Sequence, residues 1–249
     1  MQAYDLIKSP NDILVSHATG LTTQEKSELV KTQLPVSTTP DTEAQMGFGW
    51  PIAFEKGINT TIGVDCHSNN TSSMISLARS ALQLSRQQEA VAEYSEGGSG
   101  RLHLQPRGST EAAFNAITIA GARAVQLGDQ IGSIQEGKLA DLVIFDAANS
   151  PGMSCVAESD ALVAVLRHSD VRDIEGVIID GTWRKKDGRL VPVTVEETGA
   201  KLDWTGIRAK LLESKRDIQE RQKGLNYEKA AQAAQAMFRI EPSKLVKGE

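Results

Sequence analysis

The stretch N-T-T-I-G-V-D-C-H-S-N-N (59–70) sets a short apolar run directly against a cluster of polar side chains. Thr61, Ile62 and Val64 are β-branched and read as a buried strand, so Asp65 emerges at the C-terminal end of that strand. In a β/α architecture that end is where chemistry is built. Taken alone, the stretch equally allows an aspartate that caps the next helix.

Working upstream, I-L-V-S-H (13–17), the helical pattern T-T-Q-E-K-S-E-L-V-K-T-Q (22–33), L-P-V-S-T (34–38) and a Gly-rich loop (39–50) precede it. This βαβα rhythm with short connections predicts a parallel sheet wrapped by helices. Downstream, 72–92 reads as one long helix, with Met74, Ile75, Leu77, Ala78, Leu82 and Leu84 as its apolar positions. The segment E-G-G-S-G (96–100) reads as a mobile loop, and 110–127 as a second helical stretch.

Beyond it the texture turns β-like. I-G-S-I (131–134), A-D-L-V-I-F-D (140–146), D-A-L-V-A-V-L-R (160–167), G-V-I-I-D-G-T-W-R (176–184) and G-R-L-V-P-V (188–193) are punctuated by Gly and Asp turns. They predict a small sheet domain of short strands. Residues 203–237 then read as charged amphipathic helix with one solvated face.

With 249 residues, 40% of them hydrophobic and 24% charged, the chain has material for a sizeable core, in one large domain or two modest ones. A net charge of -5 offers no electrostatic footprint for nucleic acid or an anionic membrane, so neither is expected as a partner. The opening M-Q-A-Y-D-L-I-K-S-P lacks the build of a signal peptide, and no apolar run reaches spanning length, which points to a cytoplasmic protein. Cys66 and Cys155 form no Cys-x-x-Cys unit and are expected as free thiols.

Three segments resemble one family. I-G-S-I-Q-E-G-K-L-A-D-L-V-I-F-D (131–146) is similar to the connector into the small β-sandwich of the amidohydrolase superfamily, in its cytosine-deaminase-like and chlorohydrolase-like branch. A-I-T-I-A-G-A-R-A-V-Q-L-G (116–128) resembles that family's last barrel helix, and G-V-I-I-D-G-T-W-R-K-K-D-G-R-L (176–190) its closing strand and hairpin. The resemblance implies an α/β fold: strands six to eight of a (β/α)8 TIM-type barrel (1–130), a small β-sandwich (131–195) and a helical C-terminal tail (196–249).

It also implies roles. Members of this branch carry an aspartate at the end of the eighth strand, commonly followed by Ser-Asn-Asn, and Asp65 with Ser68, Asn69 and Asn70 matches that pattern. The aspartate there is a metal ligand and proton shuttle. A carboxylate can bind Zn2+ at about 2.0–2.2 Å through one oxygen and still accept a proton from water that the metal has acidified. His17 matches the histidine ending the sixth strand, which touches hydroxide or substrate; without the resemblance it would read as a buried, backbone-satisfied histidine. The run T-P-D-T-E-A-Q-M-G-F-G-W (39–50) resembles a substrate loop, in which Glu43 would be a polar anchor and Met46 and Trp50 apolar walls. The same glycines and large residues also suit a tight loop that covers the barrel end.

The remaining ligands of such a site, a first-strand His-x-His and a fifth-strand His, are absent: the four histidines are His17, His67, His103 and His168. His67 beside Asp65 is better placed for a loop surface than for a shared ion. A full barrel takes roughly 250 residues by itself. The expectation is therefore the C-terminal part of an amidohydrolase, acting on carbon–nitrogen bonds of a small cyclic substrate, or else a non-catalytic remnant that serves as a binding or regulatory partner. Cut parallel strands at 13–15 and 62–64 predict self-association, or pairing with a segment that carries the missing strands.

Overall fold

The computed structural model describes residues 13–95, 103–237 and 239–241. The expected mobile loop at 96–100 and the opening ten residues lie outside them. The chain divides into two compact units, Met1–Arg189 and Leu190–Glu249.

The first unit opens with the expected alternation: β1 (Val15–Ser16), α1 (Thr23–Thr32), β2 (Val36–Thr38), α2 (Pro40–Gln45), β3 (Thr60–Ile62) and α3 (Met74–Ser95). The three strands form a parallel sheet in the order β1-β2-β3. Val15 lies beside Val36, and Val36 beside Thr60. Helix α1 starts where Thr22 and Glu25 form a reciprocal capping box, and it ends at Gln33 in a left-handed turn. Its Leu29 packs with Leu21 and Val15 on a cluster of Val36, Ile52 and Ile58. Helix α3 buries Leu77, Ala78, Ala81 and Leu82, with Met74 packed alongside, the spacing of a single helical stripe. These residues meet Ile62, Ala53, Ala113, Ala116 and Leu166 in the main core.

Several segments depart from the sequence reading. The Gly-rich stretch 39–50 begins as α2, because Pro40 stands at the first helical position, where its missing N–H costs nothing. The helix expected over 110–127 is two, α4 (Thr110–Ala116) and α5 (Ile119–Ala124). The β-branched run Ile117-Thr118-Ile119 interrupts them: the Thr118 hydroxyl donates to the Phe114 carbonyl at 2.8 Å, and its backbone leaves the helical region (φ -128°, ψ -103°). Residues 131–134 form no strand but an irregular bend, with Ile134 exposed.

After β4 (Leu142–Phe145) come α6 (Ser154–Ala157) and α7 (Ala161–Val163), the latter running into a π-helical turn, Ala164–His168. D-A-L-V-A-V-L-R, expected as a strand, is thus helical. Asp160 caps it by accepting from the Val163 N–H at 2.9 Å, and Ala164 and Leu166 are buried. Arg79 of α3 donates from Nε to the Leu166 carbonyl at 2.5 Å and from its guanidinium to that of Ser169, closing the end of the turn.

A 3-10 turn (Val171–Asp173) leads into β5 (Ile174–Ile179), β6 (Thr182–Lys186) and β7 (Arg189–Leu190), which complete a four-stranded sheet in the order β4-β5-β6-β7. Asp180-Gly181 and Asp187-Gly188 join β5 to β6 and β6 to β7. Each pair has positive φ at both residues, as a type I′ hairpin turn requires. From β4 to β7 this is a single four-stranded sheet among the described residues, not two facing ones.

The second unit contains a short antiparallel ribbon of β8 (Val193–Thr194) and β9 (Lys201–Leu202), then α8 (Trp204–Gln222) and α9 (Tyr227–Met237). Asp203 caps α8 through the Gly206 N–H at 2.9 Å, and neither helix buries a residue. Among the described residues no helix is long and apolar enough to cross a membrane.

Candidate active site

The C-terminal edge of the parallel sheet gathers most of the residues singled out from sequence. The ladder continues past the strands: the His17 N–H donates to the Ser37 carbonyl at 2.8 Å and the Gly63 N–H to the Thr38 carbonyl at 2.9 Å. His17, Thr39 and Asp65 therefore follow three neighbouring strands on the same edge. His17, Ala18 and Asp65 hold positive φ of 64°, 56° and 60°, a left-handed conformation in which side chains other than glycine are strained.

His17 is tied down on one side of its ring. Its Nδ1 lies 2.9 Å from Thr39 Oγ1 and 3.3 Å from Glu43 Oε1, and the Phe48 ring meets the imidazole edge-on with centroids 6.1 Å apart. Glu43 has no solvent exposure. Its Oε2 accepts from the Thr38 hydroxyl at 2.7 Å, and its Oε1 from the Thr39 N–H at 2.8 Å. Expected as an anchor facing substrate, Glu43 is instead engaged by donors of its own chain.

Asp65, Cys66, His67, Ser68 and Asn69 are exposed, with 67–69 in a turn. Cys66 Sγ and Ser68 Oγ are 2.8 Å apart. The Ser68 hydrogen bonds hold the Cys66 thiol below the ordinary thiol range. Asn70 Nδ2 donates to Thr42 Oγ1 at 2.6 Å and fastens the β3–α3 connection to α2. Met46 and Trp50 are exposed, and Trp50 lines a cavity of about 190 Å3 with Ala18, Leu21, Lys26 and Glu55. A larger hollow of about 640 Å3, between Phe114, Thr118, Arg123 and Lys138, holds none of the residues singled out for the site. Thr38, Thr39, Thr42 and Phe48 were not anticipated. The signal pointing to Thr38 and Thr39 is their place at the end of β2; Thr42 lies in α2 and carries none.

The sequence pattern of the amidohydrolase family matches residues 13–184. The chain belongs to that family. A 5-methylthioadenosine/S-adenosylhomocysteine deaminase of Moorella thermoacetica is 28% identical over 194 residues, covering 76% of this chain and 42% of the relative. A 5'-deoxyadenosine deaminase of Methanopyrus kandleri is 25% identical over 191 residues, covering 75% and 40%. Among solved structures, an adenosine deaminase from Xanthomonas campestris with bound zinc superimposes with a TM-score of 0.67 at 23% identity, over 90% of this chain and 45% of that one. An atrazine chlorohydrolase from Arthrobacter aurescens with zinc and atraton gives 0.59 at 18%, over 76% and 39%. The chain thus spans about two fifths of the length of these relatives and falls in the family's deaminase- and chlorohydrolase-like branch.

Among the described residues no group of three or more His, Cys, Asp or Glu side chains could hold a metal ion. Asp65 is an exposed carboxylate at the C-terminal edge of the parallel sheet, and one oxygen falls short of the four ligands zinc takes. The described residues do not by themselves fit a zinc centre.

Proposed function

We propose that this chain contributes the Asp65–His17 corner of an enzyme that hydrolyses a carbon–nitrogen bond in a small cyclic substrate. The supporting observation is that His17, Thr39 and Asp65 stand side by side at the C-terminal edge of a parallel β/α sheet in an amidohydrolase. On this reading β1–β3 are strands six to eight of a (β/α)8 barrel. The barrel part covers 1–130, the small sheet domain 131–195 and the helical tail 196–249.

The deaminase relatives favour an exocyclic amine on a purine-like ring as the group removed. Asp65 takes a proton from the attacking water while the water oxygen bonds to the ring carbon. The same proton passes to the departing nitrogen as the C–N bond breaks and ammonia leaves, and the second water proton moves from the new hydroxyl to the adjacent ring nitrogen to give the ring carbonyl. His17 contacts the water or the substrate. Met46 and Trp50 wall the ring, and Ser68, Asn69 and Asn70 border its polar side. Asp65 would give a divalent metal such as Zn2+ one ligand, the others coming from a segment that carries the remaining strands.

A second reading, a non-catalytic partner of a full-length relative, is favoured by the incomplete ligand set. Ammonia release from amino-substituted purines, pyrimidines and triazines, with and without Zn2+, separates the two. Release that needs Zn2+ and disappears in Asp65→Asn supports the enzyme. Release undiminished in Asp65→Asn overturns the assignment of this strand end. Neither release nor zinc retained through dialysis supports the partner.

A further inference from the structure

We infer that Glu43 is the positioning residue of His17: its buried carboxylate holds the proton on Nδ1, so that the ring presents an unprotonated Nε2 to whatever reacts at the sheet edge. The inference rests on the reading of His17 as the residue that meets water or substrate.

Three donors and the His17 ring nitrogen converge on this carboxylate. The Thr38 hydroxyl reaches Oε2 at 2.7 Å, and the Thr39 N–H, the Thr39 hydroxyl and His17 Nδ1 reach Oε1 at 2.8, 3.5 and 3.3 Å. A carboxylate is an acceptor only. Were Nδ1 unprotonated, its lone pair would face Oε1 across 3.3 Å, beside a carboxylate so buried that solvent screens the repulsion weakly. With the proton on Nδ1, the ring donates toward Oε1, and Thr39 Oγ1 at 2.9 Å accepts a share of the same bond while its own hydrogen points at the carboxylate.

Nε2 has no hydrogen-bond partner among the described residues, and the His17 side chain is 32% exposed. Phe48, edge-on to the ring, limits its rotation. The nitrogen left at the open side is thus a lone pair, its tautomer and direction fixed by the Nδ1–H···carboxylate bond. It accepts a hydrogen bond from a nucleophilic water and does not donate one to a neutral ring atom. This narrows the role of His17 from touching either partner to orienting the attacking one.

A plainer role for Glu43 is to cap α2 through the Thr39 N–H, and the two roles separate on the ring itself. Long-range 1H–15N correlation spectra of the full chain, at a pH where the imidazole is neutral, report which nitrogen of His17 carries hydrogen, with neither metal nor substrate needed. The wild type is expected to show a protonated Nδ1. Thr39→Val, which removes the hydroxyl and leaves the carboxylate, should keep it there. Folded Glu43→Met, close in size but without an acceptor, should move the proton to Nε2.

A wild-type ring protonated on Nε2 overturns the inference. A switch in Thr39→Val, or none in folded Glu43→Met, does the same by assigning the tautomer to another group. If Glu43→Met fails to fold, the wild type and Thr39→Val decide. Because the readout is a tautomer and not turnover, its failure is distinct from absent ammonia release, which would count against the catalytic reading alone.

Discussion

At the residue scale, the C-terminal edge of the parallel sheet carries backbone strain and reactive side chains together. His17, Ala18 and Asp65 all adopt positive φ, which costs on the order of 1–3 kcal/mol per non-glycine residue and persists only where surrounding contacts hold it. For His17 those contacts are Thr39 and Glu43. Gly63 marks how closely the strand ends approach: a Cβ there would sit 3.0 Å from Ser37 Oγ. The exposed Cys66 offers a readout of this edge. Its thiol titrates below the ordinary range because Ser68 hydrogen-bonds it. A lowered pKa means more thiolate at neutral pH and faster alkylation. Ser68→Ala should move the midpoint of the iodoacetamide rate–pH profile of Cys66 upward and slow labelling at neutral pH; an unchanged profile would show that the Ser68 contact does not act on the thiol.

At the element scale, the segment 160–168 shows how packing overrides local pattern. D-A-L-V-A-V-L-R is rich in Val and Leu and reads as a buried strand, yet it winds as α7 and the π-helical turn. Its Ala164 and Leu166 are fully buried, Leu166 in the cluster that holds Leu77 and Ala81 of α3, and Arg79 ties down its last carbonyls. Leu166→Ala should therefore cost about 2–5 kcal/mol of stability, the usual range for a buried leucine. Asp160→Ala, which removes the cap, should cost about 1 kcal/mol. Urea unfolding measures both; a loss at Leu166 no larger than that at Asp160 would mean that the turn is not part of the core.

At the scale of the whole molecule, the open sheet edges set behaviour in solution. Both β1 and β3 end the three-stranded sheet, but they are not alike. Ile62 of β3 is 5% exposed in the main core, and Thr61 Oγ1 donates to the Ala116 carbonyl at 2.8 Å, whereas Leu14 beside β1 is 43% exposed. The self-association expected of both strands thus falls to β1, whose outer edge pairs with no strand among the described residues. Sedimentation velocity over a dilution series should show reversible association, reduced by Leu14→Lys. A monomer at every concentration, with no binding of a hydrophobic dye, would show that this edge is closed.

The sequence by itself determined what depends on neighbours along the chain. The β/α alternation up to α3, the capping box at Thr22, the two Asp-Gly hairpins and the emergence of Asp65 from the third strand all follow from periodicity and backbone preference acting over a few residues. Only the tertiary structure decided that Glu43, held locally by Thr38 and Thr39, would meet His17. It lies 26 residues from His17, and the two meet because parallel pairing sets Ser16 beside Ser37 and so brings the residues after β1 and β2 together. The helicity of 160–168 was likewise settled at a distance, by the apolar stripe of α3. Local pattern carries no record of contacts made between remote segments, and both of these were made that way.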